Sequence, residues 1–499
     1  MKYILSLDQG TTSSRTLLID SAGKVISKKQ KEFTQIFPQP SWVEHNPNEI
    51  WNTQLETIKE VVQDSKINPS DIACIGITNQ RETIVPFDSS TGQPIYNAIV
   101  WQCRRTSNFC ESIKSKYGNL VKEKTGLTID AYFSASKIKW IIENVPEAKE
   151  LIKNKTLRFG TIDSWLVWNL TKGKNFYTDP SNASRTMLFN IKENKYDKEL
   201  MDIFGVEEWM LPEVINSNGD FGSINKDYLG CEIPIKAVLG DQQAALFGQC
   251  CFKEGDLKVT YGTGGFLLIN IGDKFKSNEN FLTTVAWDMT RRDVARNVPT
   301  VVYAYEGSTF ISGAIIQWLR DGLGLIKDSS ETEKIAISID SNDGVYLVPA
   351  LVGLGSPYWD QSARGTIIGL TRGTTKAHIV RAAIESMAYQ IGDLILPIRD
   401  SLPKETFIKA DGGATRNNFL LQFQADLLQL PITRSSQAEA TALGVAYLAG
   451  LSIGIWETIN DIQKFWHPDE LFLPKKNREK EYNKWRAAVQ RSLKWENNS

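Results

Sequence analysis

Asp8-Gln9-Gly10-Thr11-Thr12-Ser13-Ser14-Arg15 follows the apolar run Ile4-Leu5-Ser6-Leu7 and leads into Thr16-Leu17-Leu18-Ile19-Asp20. Two β-type runs joined by turn residues predict a hairpin, with strands over 4–7 and 15–20. The arrangement returns at mid-chain. Leu257-Lys258-Val259-Thr260 precedes Tyr261-Gly262-Thr263-Gly264-Gly265, and an apolar run over 266–271 follows. One strand–Gly/Thr turn–strand unit in each half predicts two related domains.

The surrounding sequence alternates the same way. Ile50, Leu55, Ile58, Val61 and Val62 recur at helical spacing over 48–64, and 72–78 is a continuous apolar run suited to a buried strand. A strand over 156–160 precedes helical 163–170. Another over 407–410 precedes a helix beginning near Asn417. The fold class this predicts is layered α/β. From Arg478 the chain is helical, with Tyr482, Trp485, Val489 and Leu493 on one packing stripe.

A length of 499 residues suits two or three domains. Lys+Arg number 57 and Asp+Glu 58, a net charge of −1, so no basic excess points to nucleic acid. The six cysteines form no CxxC pair, and the three histidines are scattered, so zinc clusters and HExxH are not expected. The stretch before Asp8 is too short for the apolar core of a secretory signal, and no run of 18 apolar residues occurs. The expectation is a cytoplasmic enzyme in a reducing compartment.

Four stretches offer chemistry. In the Asp8 turn, Gly and hydroxyl residues can aim N–H groups at an anion, Arg15 can bind phosphate oxygens, and Asp8 is placed to hold Mg²⁺ through waters. The same residues also suit a plain hairpin with a capping Asp. Asp411-Gly412-Gly413-Ala414-Thr415-Arg416-Asn417-Asn418 lets backbone lie against a flat ligand such as adenine, or makes a turn capped by Asn417 or Asn418. Asp241, in Gly240-Asp241-Gln242-Gln243, suits a general base or a helix cap. Arg81-Glu82 presents donors and acceptors side by side for a polyol, with Trp101 over its carbons; a surface ion pair and a core Trp are the alternatives. No GxxxxGK[ST] occurs.

Taken together, these stretches occur in the order of the actin, hexokinase and heat-shock ATPase superfamily. From Ile4 to about Gly450 the chain closely resembles the FGGY carbohydrate kinases. The resemblance rests on LDQGTTSSR (7–15), WVEH (42–45), GITNQRET (76–83), NAIVWQCRRT (97–106), NASRTMLFN (182–190), GDQQAALFGQ (240–249), GLGSPYWD (353–360) and TALGVAYLAG (441–450). It implies two RNase H-like, actin-like ATPase domains, 1–250 and 251–499, with a catalytic cleft between them. It further implies transfer of the ATP γ-phosphoryl to glycerol, Mg²⁺ as cofactor, and a homodimer or homotetramer. Asp241 is then the base. Arg81, Glu82, Tyr132, Asp241 and Gln242 bind the hydroxyls, and Trp101 and Phe266 form an apolar wall. Thr11, Thr12, Ser13, Arg15 and Thr263 hold phosphates. Gly313, Gln317, Gly413 and Asn417 surround the nucleotide, and Asp8 and Asp241 hold the metal.

The departures also predict. Leu229-Gly230-Cys231-Glu232 stands where some bacterial members carry a Gly-Gly-Thr-Arg loop for fructose 1,6-bisphosphate, so that inhibition is not expected. No His lies between His45 and His378, so control by histidine phosphorylation ahead of Asp241 is not expected either. The segment 288–300, with Arg291, Arg292 and Arg296, looks longer than the family's usual loop and suits a surface hairpin or an interface. Cys103 suits a buried structural thiol. A kinase for a larger sugar needs a roomier, more polar wall than Trp101 and Phe266. A chaperone or filament protein lacks the polyol residues, and a dead sensor lacks Asp8 or Asp241.

Overall fold

The computed structural model describes residues 2–290, 299–436 and 439–498. The first half is built on a six-stranded sheet in the order Ser223–Ile224, Ile233–Gly240, Ile72–Asn79, Tyr3–Gln9, Ser13–Asp20, Val25–Glu32. Tyr3–Gln9, Ser13–Asp20 and Val25–Glu32 form an antiparallel meander, and Ile72–Asn79 and Ile233–Gly240 join parallel to its first strand. The hairpin expected from the sequence is present. Its third strand, Val25–Glu32, was not anticipated. That strand is a Lys-rich edge with exposed positions alternating along it, so it carries little apolar signal.

The second half repeats the plan. Leu257–Tyr261, Gly265–Asn270 and Pro299–Thr309 form the antiparallel trio, with Leu282–Thr290 intervening in the chain before the third, and Ile408–Asp411 and Ile432–Ser435 add in parallel. Leu282–Thr290 and Pro468–Phe472 extend the edges to seven strands. The duplication read from two short turns is therefore a duplication of whole sheets. Of the segment 288–300, residues 291–298 lie outside the described residues.

Helices cover both faces, which is why the central strands are apolar without alternation. Pro47–Ser65 lies on the first sheet with Ile50, Ile58, Val61 and Val62 inward. The C-terminal helix Glu479–Ser492 docks by its expected stripe. Trp485 stacks on Tyr389 at 5.2 Å, and Asp393 accepts hydrogen bonds from Trp485 Nε1 and the Tyr482 hydroxyl.

Two helices join the halves. Asp241–Gly248 follows the last parallel strand of the first sheet. Ala440–Ile453 comes from the second half yet packs on Ile72–Asn79, Ile233–Gly240 and Tyr3–Gln9 of the first. Both are buried on nearly all sides, and Ala440–Ile453 is apolar nearly all round as such cover demands. Their backbones touch: a Cβ at Gly444 would sit 1.8 Å from the Ala244 carbonyl oxygen, and one at Gly248 1.9 Å from that of Ala440. One continuous core holds Ile4 and Ala237 from the first half, Leu268 and Ala304 from the second, and Ala244, Phe247, Ala442 and Tyr447 from the two helices. Gly444→Ala should destabilise the protein by about 1–3 kcal/mol or more, since backbone cannot yield as a side chain does. Denaturant titration checks this, and a loss under about 0.5 kcal/mol contradicts it.

Candidate active site

The three parallel strands of the first sheet end level: Gln9 and Gly240 both pair with Asn79. Crevices beyond the carboxyl ends of such strands are where ligands bind in open α/β sheets. A cavity of about 250 Å³ opens there, lined by Thr11, Thr12, Arg81, Glu82, Trp101, Gln102, Tyr132, Asp241, Thr263, Gly264 and Phe266. Thr263 and Gly264 belong to the second half, so the site is walled from both. Thr263 also lines a larger cavity of about 750 Å³ in the second half, beside Gly313, Gln317, Gly413 and Asn417.

The smaller cavity has an aromatic side. The Trp101 ring meets Tyr132 at 5.5 Å and Phe266 at 6.3 Å, both edge-on, and its Nε1 donates to Thr11 Oγ1 at 3.0 Å. Trp101 is half-buried, a wall rather than core. The polar side is charged. Arg81 and Glu82 are buried, not a surface pair. Glu82 sits at φ 60°, a conformation non-glycine residues hold only where surroundings enforce it. Arg185 Nε donates to its Oε1 at 2.6 Å, and Ser134 Oγ to its carbonyl at 3.1 Å.

Arg81 gives Nη1 and Nη2 to the carboxylate of Glu306 at 2.6 and 2.9 Å, and its Nε lies 3.1 Å from Asp241 Oδ1 without hydrogen-bond alignment. Asp241 opens the helix Asp241–Gly248, accepts from the Gln242 backbone N–H at 2.7 Å, and keeps part of its carboxylate exposed to the cavity. Burial raises the Asp241 carboxyl above its ordinary value, while Arg81 and Lys258 oppose the rise. Burial would also raise Glu306, but Arg185 and Arg81 overcome it and hold that carboxyl at about 2. The Gln242 side chain accepts from the buried Lys258 ammonium at 2.5 Å and does not line the cavity.

The turn at Gly10–Thr12 is held from behind. Gln80 donates to the Gly10 carbonyl at 3.1 Å and Gln35 to that of Thr11 at 3.2 Å; His45 Nε2 meets Gln35 Oε1 at 2.9 Å. This leaves the turn's hydroxyls facing the cleft. The neighbouring Glu44 takes Arg105 at 2.6 Å, which lies over the Trp42 ring at 3.8 Å; Cys103 is buried beside that arginine, its sulfur accepting from Arg105 Nε. Asp8 is buried and pairs with Arg15 at 3.2 Å. Arg15 also pairs with Glu439, and Ser13 Oγ accepts from Gln30 at 2.9 Å; neither residue lines the two cavities.

The larger cavity begins where Gly412, at φ 94°, presses against Tyr261; a Cβ there would stand 2.5 Å from the Tyr261 carbonyl oxygen. Asn417 caps the helix Asn418–Leu428, as one of its two readings expects, and it also lines the cavity. Ile316, Ile384, Met387 and Leu420 give it apolar surface, and Arg320, Glu333 and Arg416 give it charge.

The model of the N-terminal domain of the FGGY family of carbohydrate kinases matches residues 3–248, and that of the C-terminal domain matches 257–453. The chain belongs to the FGGY family. Among its FGGY relatives, "Glycerol kinase 2" of Thermotoga maritima is 53% identical over 502 residues, spanning 99% of this chain and all of that one. "Glycerol kinase" of a Thermoanaerobacter species is 53% identical over 500 residues, spanning 99% of each. The crystal structure of Plasmodium falciparum glycerol kinase with ADP is 36% identical and superposes with a TM-score of 0.89 over 99% of this chain and 98% of that one. A xylulose kinase from Lactobacillus acidophilus, at 22% identity and TM-score 0.86 over 99% of this chain, shares the fold.

Mg²⁺ is the metal expected from the sequence, with Asp8 and Asp241 as its expected carboxylates; Asp241 lines the smaller cavity, and Asp8 is buried against Arg15. Mg²⁺ keeps several waters and takes one or two carboxylates plus substrate phosphates, not a cage of protein ligands. Asp8 and Asp241 stand at the ends of strands two apart in the sheet, and among the described residues no three metal-binding side chains converge. Sequence reading missed Glu306, Arg185 and Lys258. Each is a single charge inside an otherwise ordinary run; Arg185 and Glu306 meet partners distant in sequence, and Lys258 reaches back to Gln242.

His45 supplies a prediction. Burial lowers its pKa from 6.5 to about 4, so between those values the unfolded chain binds a proton that the folded chain does not. Stability should fall by about 1.4 kcal/mol per pH unit as pH drops through this window. His45→Gln should flatten that slope in denaturant titrations from pH 7 to 4; an unchanged slope contradicts it.

Proposed function

We propose that this chain transfers the γ-phosphoryl group of ATP to a terminal hydroxyl of glycerol, giving sn-glycerol 3-phosphate. The observation that supports this most is the chemistry of the smaller cavity. One side is aromatic, for the carbon chain, and the other offers Arg81, Glu82, Tyr132 and Asp241 to the hydroxyls. The glycerol kinases of other organisms, matched along nearly the whole chain, support the same reading.

Asp241 accepts the proton of the attacking hydroxyl as its oxygen bonds to the γ-phosphorus and the bond to the ADP oxygen breaks. Its raised basicity suits that task. The Asp241 carboxylate stays near Thr263, which spans both cavities and lies where transferring phosphate passes. Thr11 and Thr12 face the same point from the first half. Ser13 and Arg15 complete phosphate binding if Arg15 leaves Glu439, and Gln242 reaches the acceptor if it leaves Lys258. Gly313, Gln317, Gly413 and Asn417 hold the nucleoside. Asp8 and Asp241 would hold Mg²⁺, which neutralises phosphate charge when bound. Closure of 1–250 onto 251–499 excludes water. The six free cysteines suit a reducing cytoplasm, and a homodimer or homotetramer is the proposed assembly.

ADP release from Mg·ATP should depend on glycerol and be weak with xylulose, gluconate or no acceptor; preference for a larger sugar overturns the substrate, and acceptor-independent release overturns the reaction. Asp241→Asn should lower kcat by 10²–10⁴-fold in protein that still folds. Because Asp241 must be ionised, kcat/KM should fall on the acid side at a pH above the ordinary aspartate value of about 3.9. Millimolar fructose 1,6-bisphosphate should not inhibit, because Glu232 stands where an arginine would bind its phosphate; inhibition contradicts this.

A further inference from the structure

Beneath the smaller cavity lies a charge cluster sealed from solvent. Arg81, Glu82 and Arg185 come from the first half and Glu306 from the strand Pro299–Thr309 of the second. Glu306 takes both Nη groups of Arg81, at 2.6 and 2.9 Å, and Nη2 of Arg185 at 3.1 Å; Ser308 Oγ donates to it at 3.2 Å. Arg185 in turn holds Glu82 at 2.6 Å and lies 5.6 Å from the centre of the Tyr132 ring. Glu306 itself is fully buried and does not line the cavity. Three of the groups that face the acceptor, Arg81, Glu82 and Tyr132, are thus set in place directly or through Arg185 by one carboxylate from the other half.

We infer that Glu306 is the positioning residue of the acceptor site, fixing Arg81 and Arg185 across the domain boundary so that Arg81 serves the acceptor hydroxyls without collapsing onto Asp241. The inference rests on the proposed function. The geometry explains why one anion is needed there. With Glu306 neutral, the two buried guanidinium groups keep only Glu82 and Asp241 as carboxylate partners, with Gln243 Oε1 accepting from Arg81 Nη1 at 3.1 Å. Arg81, whose Nε already lies 3.1 Å from Asp241 without alignment, then closes on that carboxylate. The acceptor loses a hydroxyl-binding group and the base loses its free electron pair. The nucleotide cavity shares none of these residues, so ATP binding is untouched.

The test is steady-state kinetics on the full-length protein with glycerol and Mg·ATP varied separately. Glu306→Gln should raise the KM for glycerol at least tenfold and lower kcat, with the KM for ATP within twofold of wild type. Glu306→Asp, which keeps the charge but is one methylene shorter, should recover part of the loss. Ser308→Ala perturbs only the orientation of the carboxylate and should raise the glycerol KM about threefold; it carries the test alone if Glu306→Gln fails to fold. A glycerol KM within twofold of wild type in Glu306→Gln, or in Ser308→Ala where that variant stands alone, overturns the inference. So does an equal rise in both KM values, the mark of a merely structural role. Wild-type protein that makes no ADP in response to glycerol overturns the proposed function instead.

Discussion

The contact on which the rest depends is the crossing of two helices at backbone distance. Gly248 and Gly444 let Asp241–Gly248 and Ala440–Ile453 approach until carbonyl oxygens occupy the space of side chains. Each helix leaves its own half to cover the other, so the halves share a core and are not two beads on a string. Asp241 is the first residue of one of these helices. Its carboxylate therefore sits at the positive end of a helix dipole, at the joint between the halves and in the lining of the smaller cavity. A fold-level packing constraint sets the place of the proposed base.

The second theme is charge held out of water. Arg81, Arg185 and Lys258 face Glu82, Glu306 and Asp241 in a set whose formal charges cancel. Buried pairs of this kind add little net stability, because desolvation consumes most of the attraction, but removing one partner costs about 3–5 kcal/mol. Their value here is directional. The cluster gives each carboxylate a different environment: Glu306 is pressed down by two guanidinium groups, and Asp241 is lifted by burial. Two carboxyl groups served by one arginine thus sit in different environments, Glu306 a fixed counter-charge and Asp241 the proposed base.

Much of the fold was legible because its signals are local. The hairpin of Tyr3–Gln9 and Ser13–Asp20, the buried strand Ile72–Asn79 and the helix Pro47–Ser65 each announce themselves by periodicity within their own bounds. The Gly/Thr turns marked both halves of the cleft because turn chemistry is also written in a few adjacent residues. What the sequence did not display was pairing at a distance. Arg81 and Glu306 are 225 residues apart, and nothing in Tyr305-Glu306-Gly307 distinguishes a structural acid from a solvated one. Side-chain direction was hidden for the same reason. Ser13 belongs to a paired strand, and its hydroxyl meets Gln30 on the neighbouring strand. Gln242 meets a lysine from the other half. WVEH was visible as a motif but not as a device; only the structure shows His45 bracing the Gly10–Thr12 turn through Gln35, and Glu44 holding Arg105 against Trp42.

The central claim is that two halves joined at one helix crossing align ATP with a three-carbon triol. The most direct measurement is ³¹P NMR of the product formed from Mg·ATP and glycerol. The account predicts one phosphomonoester on a terminal carbon, appearing in step with ADP. Inorganic phosphate in its place, or an ester at the central carbon, would contradict it.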